Sequence, residues 1–204
     1  MEMTKKTLNA QRSTLNAQCR KGFTLIELLV VITIIAVLLG LAFPVFQGVL
    51  DRAKKVQAKN DVTQIVTAVN AFYTEYGKYP VVTDDTPIAD NSDLFYSLRA
   101  VSAGANGSNT INTRQIVFIN PPSVKDSGNP RSGIGSSGQY YDPWGQTYKI
   151  AIDGNYDNQL TNPYTADTGT GPGTLRQGVI AWSIGKDTTQ GTTFSASDDI
   201  ISWQ

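Results

Sequence analysis

An uncharged apolar stretch lying directly behind a single carboxylate constrains this chain more than any other feature. Lys21-Gly22-Phe23-Thr24-Leu25-Ile26-Glu27 leads into Leu28-Leu29-Val30-Val31-Ile32. No charge occurs from Leu28 to Phe43, and apolar residues continue past Pro44 to Val45 and Phe46. Coiled as a helix, that length is about what is needed to cross ~30 Å of hydrocarbon. Glu27 is the exception, since a charge at a bilayer centre costs roughly 2.5 to 3.5 kcal/mol on insertion scales and asks for a partner. A cut between Gly22 and Phe23 would create one, the α-amine of Phe23, and would make Glu27 the fifth residue.

Gly22-Phe23-Thr24-Leu25-Ile26-Glu27-Leu28-Leu29-Val30 resembles the class III signal of type IV pilins and type II secretion pseudopilins. The resemblance implies that a membrane-embedded prepilin peptidase cleaves after Gly22 and N-methylates Phe23. Pro44 falls where the family often carries a helix-kinking proline. Two other readings stand beside it. In a secretory signal peptide, Lys5, Lys6, Arg12, Arg20 and Lys21 form the basic end, Leu28–Leu41 the apolar centre and Gly40-Leu41-Ala42 the cleavage site. In an uncleaved anchor, the span carries a periplasmic binding module or enzyme; Arg52, Lys54, Lys55 and Lys59 just beyond it blur the orientation signal. Neither gives Glu27 a purpose.

Composition narrows the function classes. The 204 residues leave room for a leader, one long helix and one modest head, and the formal net charge of zero gives no electrostatic case for nucleic acid. Histidine is absent, which removes the commonest general base and transition-metal ligand. The one cysteine, Cys19, lies in the leader, so a chain cut after Gly22 has no thiol for a disulfide, nucleophile or zinc site. A structural subunit is expected, not an enzyme. Thr7-Leu8-Asn9-Ala10-Gln11 recurs as Thr14-Leu15-Asn16-Ala17-Gln18, with no physical role we can assign.

The sequence therefore divides into a cleaved basic leader at 1–22, a transmembrane and polymerisation helix at 23–50, and a periplasmic head at 51–204. The helix is expected to run from Phe23 to about Tyr76, roughly 80 Å at 1.5 Å per residue. Val49, Leu50, Ala53 and Val56 form one apolar stripe. Val62, Ile65, Val66, Val69, Phe72, Tyr73 and Tyr76 form a second, with Gly77 and Pro80 as the stop. Pro44 lacks an N–H and clashes with the Gly40 carbonyl, so the Gly40–Pro44 turn is the expected weak point. In the head, Ser92–Leu98 reads as a capped helix. Gln115–Ile119, Thr147–Ile152, Val179–Ser183 and Ile200–Trp203 read as strands, and 103–114 and 123–139 as loops. The fold class is α+β: a long N-terminal helix packed on a small antiparallel sheet with long loops.

Asp142-Pro143-Trp144-Gly145 fits a type I turn position by position. That tetrapeptide, Tyr148, Trp182-Ser183-Ile184-Gly185-Lys186-Asp187 and Asp199-Ile200-Ile201-Ser202-Trp203 are also similar to the head of G-type major pseudopilins. The resemblance implies calcium in the C-terminal loop, held by Asp187, Asp199 and Asp198. A hard cation wants six to eight oxygens, which this loop can supply. Thr188-Thr189-Gln190-Gly191-Thr192-Thr193 replaces the family's Gly-rich spacing, and a solvated acidic tail with Asx-turns is the other reading. Asp153-Gly154-Asn155-Tyr156-Asp157 begins like an EF-hand loop but has Asn158 at the sixth place and Tyr164 at the twelfth, so it reads as a turn.

The function this implies is a subunit of a type II secretion pseudopilus that polymerises through its N-terminal helix to drive export; the alternative is a type IV pilin for adhesion, motility or DNA uptake. Implied partners are other copies of the chain, the prepilin peptidase, an inner-membrane assembly platform and minor pseudopilins. The implied location is the bacterial inner membrane with a periplasmic head, then a periplasmic or extracellular filament.

Overall fold

The computed structural model describes residues 22–164 and 168–204, with the side chains of 42–47 and of Thr168 outside that description. The basic leader, its duplication and Cys19 lie outside it as well. The described residues fall into two compact units, the first ending at Phe46 and the second running from Gln47 to Gln204. Helix α1, Leu25–Tyr76, contributes to both.

In the first unit the helix begins at Leu25, as expected from a start at about Phe23, with Thr24 as its cap. Every large apolar residue described from Phe23 to Leu41 is 47–88% exposed. A helix apolar on all sides belongs in a core or a membrane, and neither core cluster among the described residues includes this segment. Among the described residues, no helix is long and apolar enough to cross a membrane. The uncharged run described there, Leu28–Leu41, is 14 residues, about 21 Å as a helix and short of ~30 Å of hydrocarbon. The six residues that would extend it, 42–47, lie outside the described side chains. The kink expected at Gly40–Pro44 rests on the same residues.

In the second unit the helix carries one buried face. Ala58, Val62, Ile65, Val69 and Phe72 are fully buried at i, i+3, i+4 spacing. The earlier stripe does not join them: Val49, Leu50 and Val56 are 59%, 52% and 61% exposed. Tyr76 ends the helix, and Gly77 takes a left-handed φ of 67° while its N–H donates to the Tyr73 carbonyl at 2.8 Å. A residue with a Cβ is strained there, which is why glycine is the stop.

Helix α2, Ser92–Leu98, lies where the sequence placed it. Seven short strands follow: β1 Gly133–Ile134, β2 Tyr140–Tyr141, β3 Lys149–Ile152, β4 Leu160–Thr161, β5 Thr174–Leu175, β6 Val179–Ser183 and β7 Ile200–Ile201. The central antiparallel sheet has the order β3-β6-β7, with Lys149 opposite Trp182 and Trp182 opposite Ile201. Successive side chains of a strand face opposite ways, and both faces of this sheet are filled. Ile150, Ile152, Val179, Ala181 and Ile200 pack with α1 and α2. Ala151, Ile180, Trp182 and Ile201 pack with Leu160, Tyr164 and Leu175. All five β6 residues are therefore buried.

Two loop and strand expectations need correction, and one pair of strands lies where none was expected. Gln115–Ile119 is not a strand: Gln115 has φ 53°, Val117 is 56% exposed, and the Asn112 side chain takes both the N–H and the C=O of Ile116. An asparagine that satisfies the backbone locally removes the need for a ladder. The loop at 123–139 contains β1, which pairs with β2. The segment 154–178, for which no strand is expected from the sequence, contains the β4–β5 pair, whose Leu160 and Leu175 cover the second face of the sheet.

Candidate functional site

Two places carry the residues singled out above. At the N-terminus, Thr24 and Glu27 cap the helix reciprocally. The Glu27 carboxylate accepts from the Thr24 N–H at 2.9 Å and from its hydroxyl at 2.7 Å, while the Glu27 N–H donates to Thr24 Oγ1 at 3.3 Å. Thr-x-x-Glu at a helix start is a capping box, a signal present in the sequence that the reading of Glu27 as an unpartnered charge overlooked. Gly22 has nothing within 4 Å of where a Cβ would stand and no left-handed φ. The described fold does not itself require glycine there. Phe23 is 81% exposed, leaving the Gly22–Phe23 bond accessible.

At the other end, Asp187, Asp198 and Asp199 each bring a carboxylate oxygen to within 4.8 Å of the others. Asp187 Oδ1 accepts the Thr189 N–H at 2.9 Å, Asp198 Oδ2 the Lys186 N–H at 2.7 Å, and Asp199 Oδ2 the Tyr164 hydroxyl at 2.7 Å. The Oδ1 atoms of Asp198 and Asp199 are buried and have no hydrogen-bond partner. Asp199 is only 6% exposed, and burial pushes its carboxyl above the usual range, with Asp187 and Asp198 pushing the same way. Lys186 pairs with Asp51, its Nζ 2.8 Å away, and exerts only a smaller attraction on Asp198. Two orphaned buried carboxylate oxygens beside a third carboxylate fit a hard divalent cation.

The other acidic group, Asp85, Asp153 and Asp157, has a different character. Asp153 accepts the N–H groups of Asp157 and Asn158 at 3.1 and 2.7 Å. Asp85 accepts the Gly154 N–H and the Asn155 amide at 2.9 and 2.8 Å. These carboxylates are spent on turn donors, in agreement with the sequence reading of 153–157 as a turn.

Asp142-Pro143-Trp144-Gly145 is the expected turn, closed by the Gly145 N–H on the Asp142 carbonyl at 3.2 Å. Asp142 does more than its turn position demanded. Its Oδ1 gathers the N–H groups of Trp144, Gly145 and Gln146 at 2.8–2.9 Å, and its Oδ2 takes the β6 Ser183 hydroxyl at 2.6 Å. The turn is thereby tied to the central sheet. Asp61 of α1 similarly accepts the Tyr148 hydroxyl at 2.7 Å. The carboxyls of Asp61 and Asp142 are both buried and pushed upward by burial. None of these pairings was visible in the sequence.

Residues 18–43 match the family model described as the prokaryotic N-terminal methylation motif, which spans the Gly22–Phe23 bond and Glu27. The chain is 36% identical over 92 residues to the fimbrial protein EcpC of Eikenella corrodens, covering 44% of this chain and 60% of that one. It is 32% identical over 111 residues to the type IV major alpha-pilin of Moraxella bovis, covering 48% and 68%. With the type IV major pilin protein PilA of Myxococcus xanthus the identity is 35% over 85 residues, covering 42% and 38%. The matches thus span 60%, 68% and 38% of those relatives' own lengths. No solved structure matches. An N-terminal methylation motif joined to a helix-plus-sheet head defines a pilin-like protein. The chain belongs to the type IV pilin family.

Proposed function

We propose that this chain is a filament subunit whose precursor is held in the inner membrane by residues 23–50 and cut after Gly22. The observation that carries this reading is the first unit: a helix exposed and apolar on every side, with one carboxylate at its head. Lipid covers that surface before assembly and the same helix of other copies covers it afterwards. In the packed core, Glu27 of one subunit exchanges its Thr24 contacts for the Phe23 α-amine of a neighbour. A buried charge without its partner is penalised, so wrong axial registers are disfavoured. The role is structural and not catalytic, in keeping with the absence of histidine and of any thiol beyond the leader.

Within the family, the G-type features at 142–145, 182–187 and 199–203 favour the type II secretion pseudopilus, polymerising against an inner-membrane platform with minor pseudopilins. The surface pilus is the second reading, favoured by relatives that are themselves fimbrial proteins. In this account Asp187, Asp198 and Asp199 would hold calcium, which would supply positive charge to their crowded carboxylates. Filaments sheared or extracted from the producing cell test the reading. Mass spectrometry should find N-methylated Phe23 as the first residue, and deletion of the gene should stop export of a secreted protein. A subunit starting at Phe43 refutes the processing; normal export with loss of long surface filaments selects the pilus.

A further inference from the structure

The segment that follows the glycine stop of α1 forms an apolar tip. Val81 is exposed there and takes a left-handed φ of 61°. A β-branched residue is strained in that conformation and persists only where its surroundings hold it. Here the segment is held on both sides. Tyr79 stacks on Tyr73 and Tyr156 with ring centroids 4.6 and 5.6 Å apart, and the Tyr156 hydroxyl accepts the Tyr79 N–H at 3.1 Å. The Asp84 backbone lies so close to Gly154 that a Cβ there would stand 2.5 Å from it. Val81 and Tyr156, 38% and 52% exposed, are the apolar surface of this tip. Its charge is negative. Asp84 is exposed, and Asp85, Asp153 and Asp157 bring carboxylate oxygens within 4.8 Å of one another. Lys78 is the one cation in residues 78–86 and 153–158, and none of the four aspartates has an ion-pair partner among the described residues.

A surface of the opposite kind flanks the same helix at the other end of the head. Val56 lies 20 residues before Tyr76, about 30 Å along α1. There a cleft of about 350 Å³ is lined by Lys55, Val56, Lys59, Phe194, Ile200 and Ile201. Lys59 Nζ donates to the Ile201 carbonyl at 2.8 Å, and burial holds its pKa below the usual lysine range. A carboxylate placed beside it would offset that loss. Among the described residues neither Lys55 nor Lys59 has such a partner. Asp199 is the one carboxylate in the lining, and its Oδ2 is taken by the Tyr164 hydroxyl. Arg52 and Lys54 precede the cleft on the helix and add to its positive sign.

We propose that heads dock head to tail, the Val81–Tyr156 tip of one copy entering the Lys55–Lys59 cleft of another. This rests on the filament-subunit reading and names a contact between heads within it. Two tips repel through their carboxylates and two clefts through their lysines, so a two-fold pairing of like surfaces is disfavoured. The unlike pairing brings opposite charges together while the apolar tip leaves water against Val56, Phe194 and Ile201. A subunit's tip cannot reach its own cleft across ~30 Å of helix. A contact between opposite ends of a subunit repeats from copy to copy and suits a filament.

Filaments from cells making a subunit with both Val56→Cys and Val81→Cys test the docking, because a chain cut after Gly22 has no other thiol. Under a mild oxidant the double variant should run as a ladder of cross-linked multimers on a denaturing gel, and each single variant as monomer. Lys55→Glu and Asp84→Lys should each cut filament yield about tenfold, and the two together should restore it. That exchange decides the matter alone if the cysteines block assembly, since two merely structural losses would add. Normal filaments without a ladder, dimers from Val81→Cys alone, or reversals whose losses add overturn the docking and leave the filament reading standing. No filaments from the unaltered subunit overturn the filament reading and the docking with it.

Discussion

Loss of water pushes the buried carboxyls of Asp61, Asp142 and Asp199 above the usual range. A group whose folded pKa exceeds its unfolded value of ~3.9 stabilises fully below the latter, and that contribution is lost as pH rises through the folded value. Asp84 and Asp90 act in the opposite sense: the N–H groups of Thr86 and Ser92 hold them low, so their contribution is lost only as pH falls. In chelator, the contribution of Asp61, Asp142 and Asp199 should therefore fall as pH rises from about 4, so that the second unit melts higher at about pH 4 than at pH 7. Calcium at Asp187, Asp198 and Asp199 should reverse the order by favouring the ionised carboxylates. A hundredfold excess over Kd adds about 2.7 kcal/mol, worth several degrees in a head of this size. Asp199→Asn should cost little at pH 7 in chelator and should abolish the calcium response; calorimetric melts indifferent to both chelator and pH would remove the ion and the buried-charge account together. The three aspartates were legible because they crowd one short tail. Tyr164, which takes one Asp199 oxygen and leaves the other free, was not, because nothing local links positions 35 residues apart.

At the level of elements, legibility followed the range of the interaction that fixes each one. α1, its glycine stop and the Asp142 turn rest on contacts within four residues, and local sequence specifies them. The central strands β3 and β6 were legible as apolar runs between turn residues. Gln115–Ile119 shows the same apolar run yet is not a strand, because Asn112 satisfies the backbone of Ile116 and the Phe118 N–H donates to the Leu98 carbonyl after α2. The β4–β5 pair was missed for the converse reason: two-residue strands in a Gly- and Thr-rich segment have no periodicity, and their burial depends on the exposed face of a sheet formed elsewhere. That hairpin should nonetheless matter to stability. Leu160 is 1% exposed, so Leu160→Ala should destabilise the head by about 2–5 kcal/mol, read as a lower urea midpoint at unchanged slope. A cost below ~0.5 kcal/mol would mean that 154–178 does not seal the second core.

For the whole molecule, a folded head and an apolar helix make a subunit complete in itself and unfinished without neighbours. The head has its own two-sided core, whereas residues 23–41 have no apolar partner among the described residues. This division was legible from hydropathy alone; the capping box at its start was not, and it sharpens the question put to Glu27. Replacing Glu27 by alanine removes both the charge and the cap, so lost assembly could be blamed on a frayed helix. Glu27→Gln separates them, because glutamine also serves in a capping box while carrying no charge. The direct measurement is filament yield from cells making the Glu27→Gln subunit, counted by electron microscopy beside a mass spectrum of its N-terminus. The account predicts a subunit that is produced and cut after Gly22 but gives few or no filaments. Wild-type numbers of normal filaments would contradict the pairing of Glu27 with a neighbour's Phe23 amine.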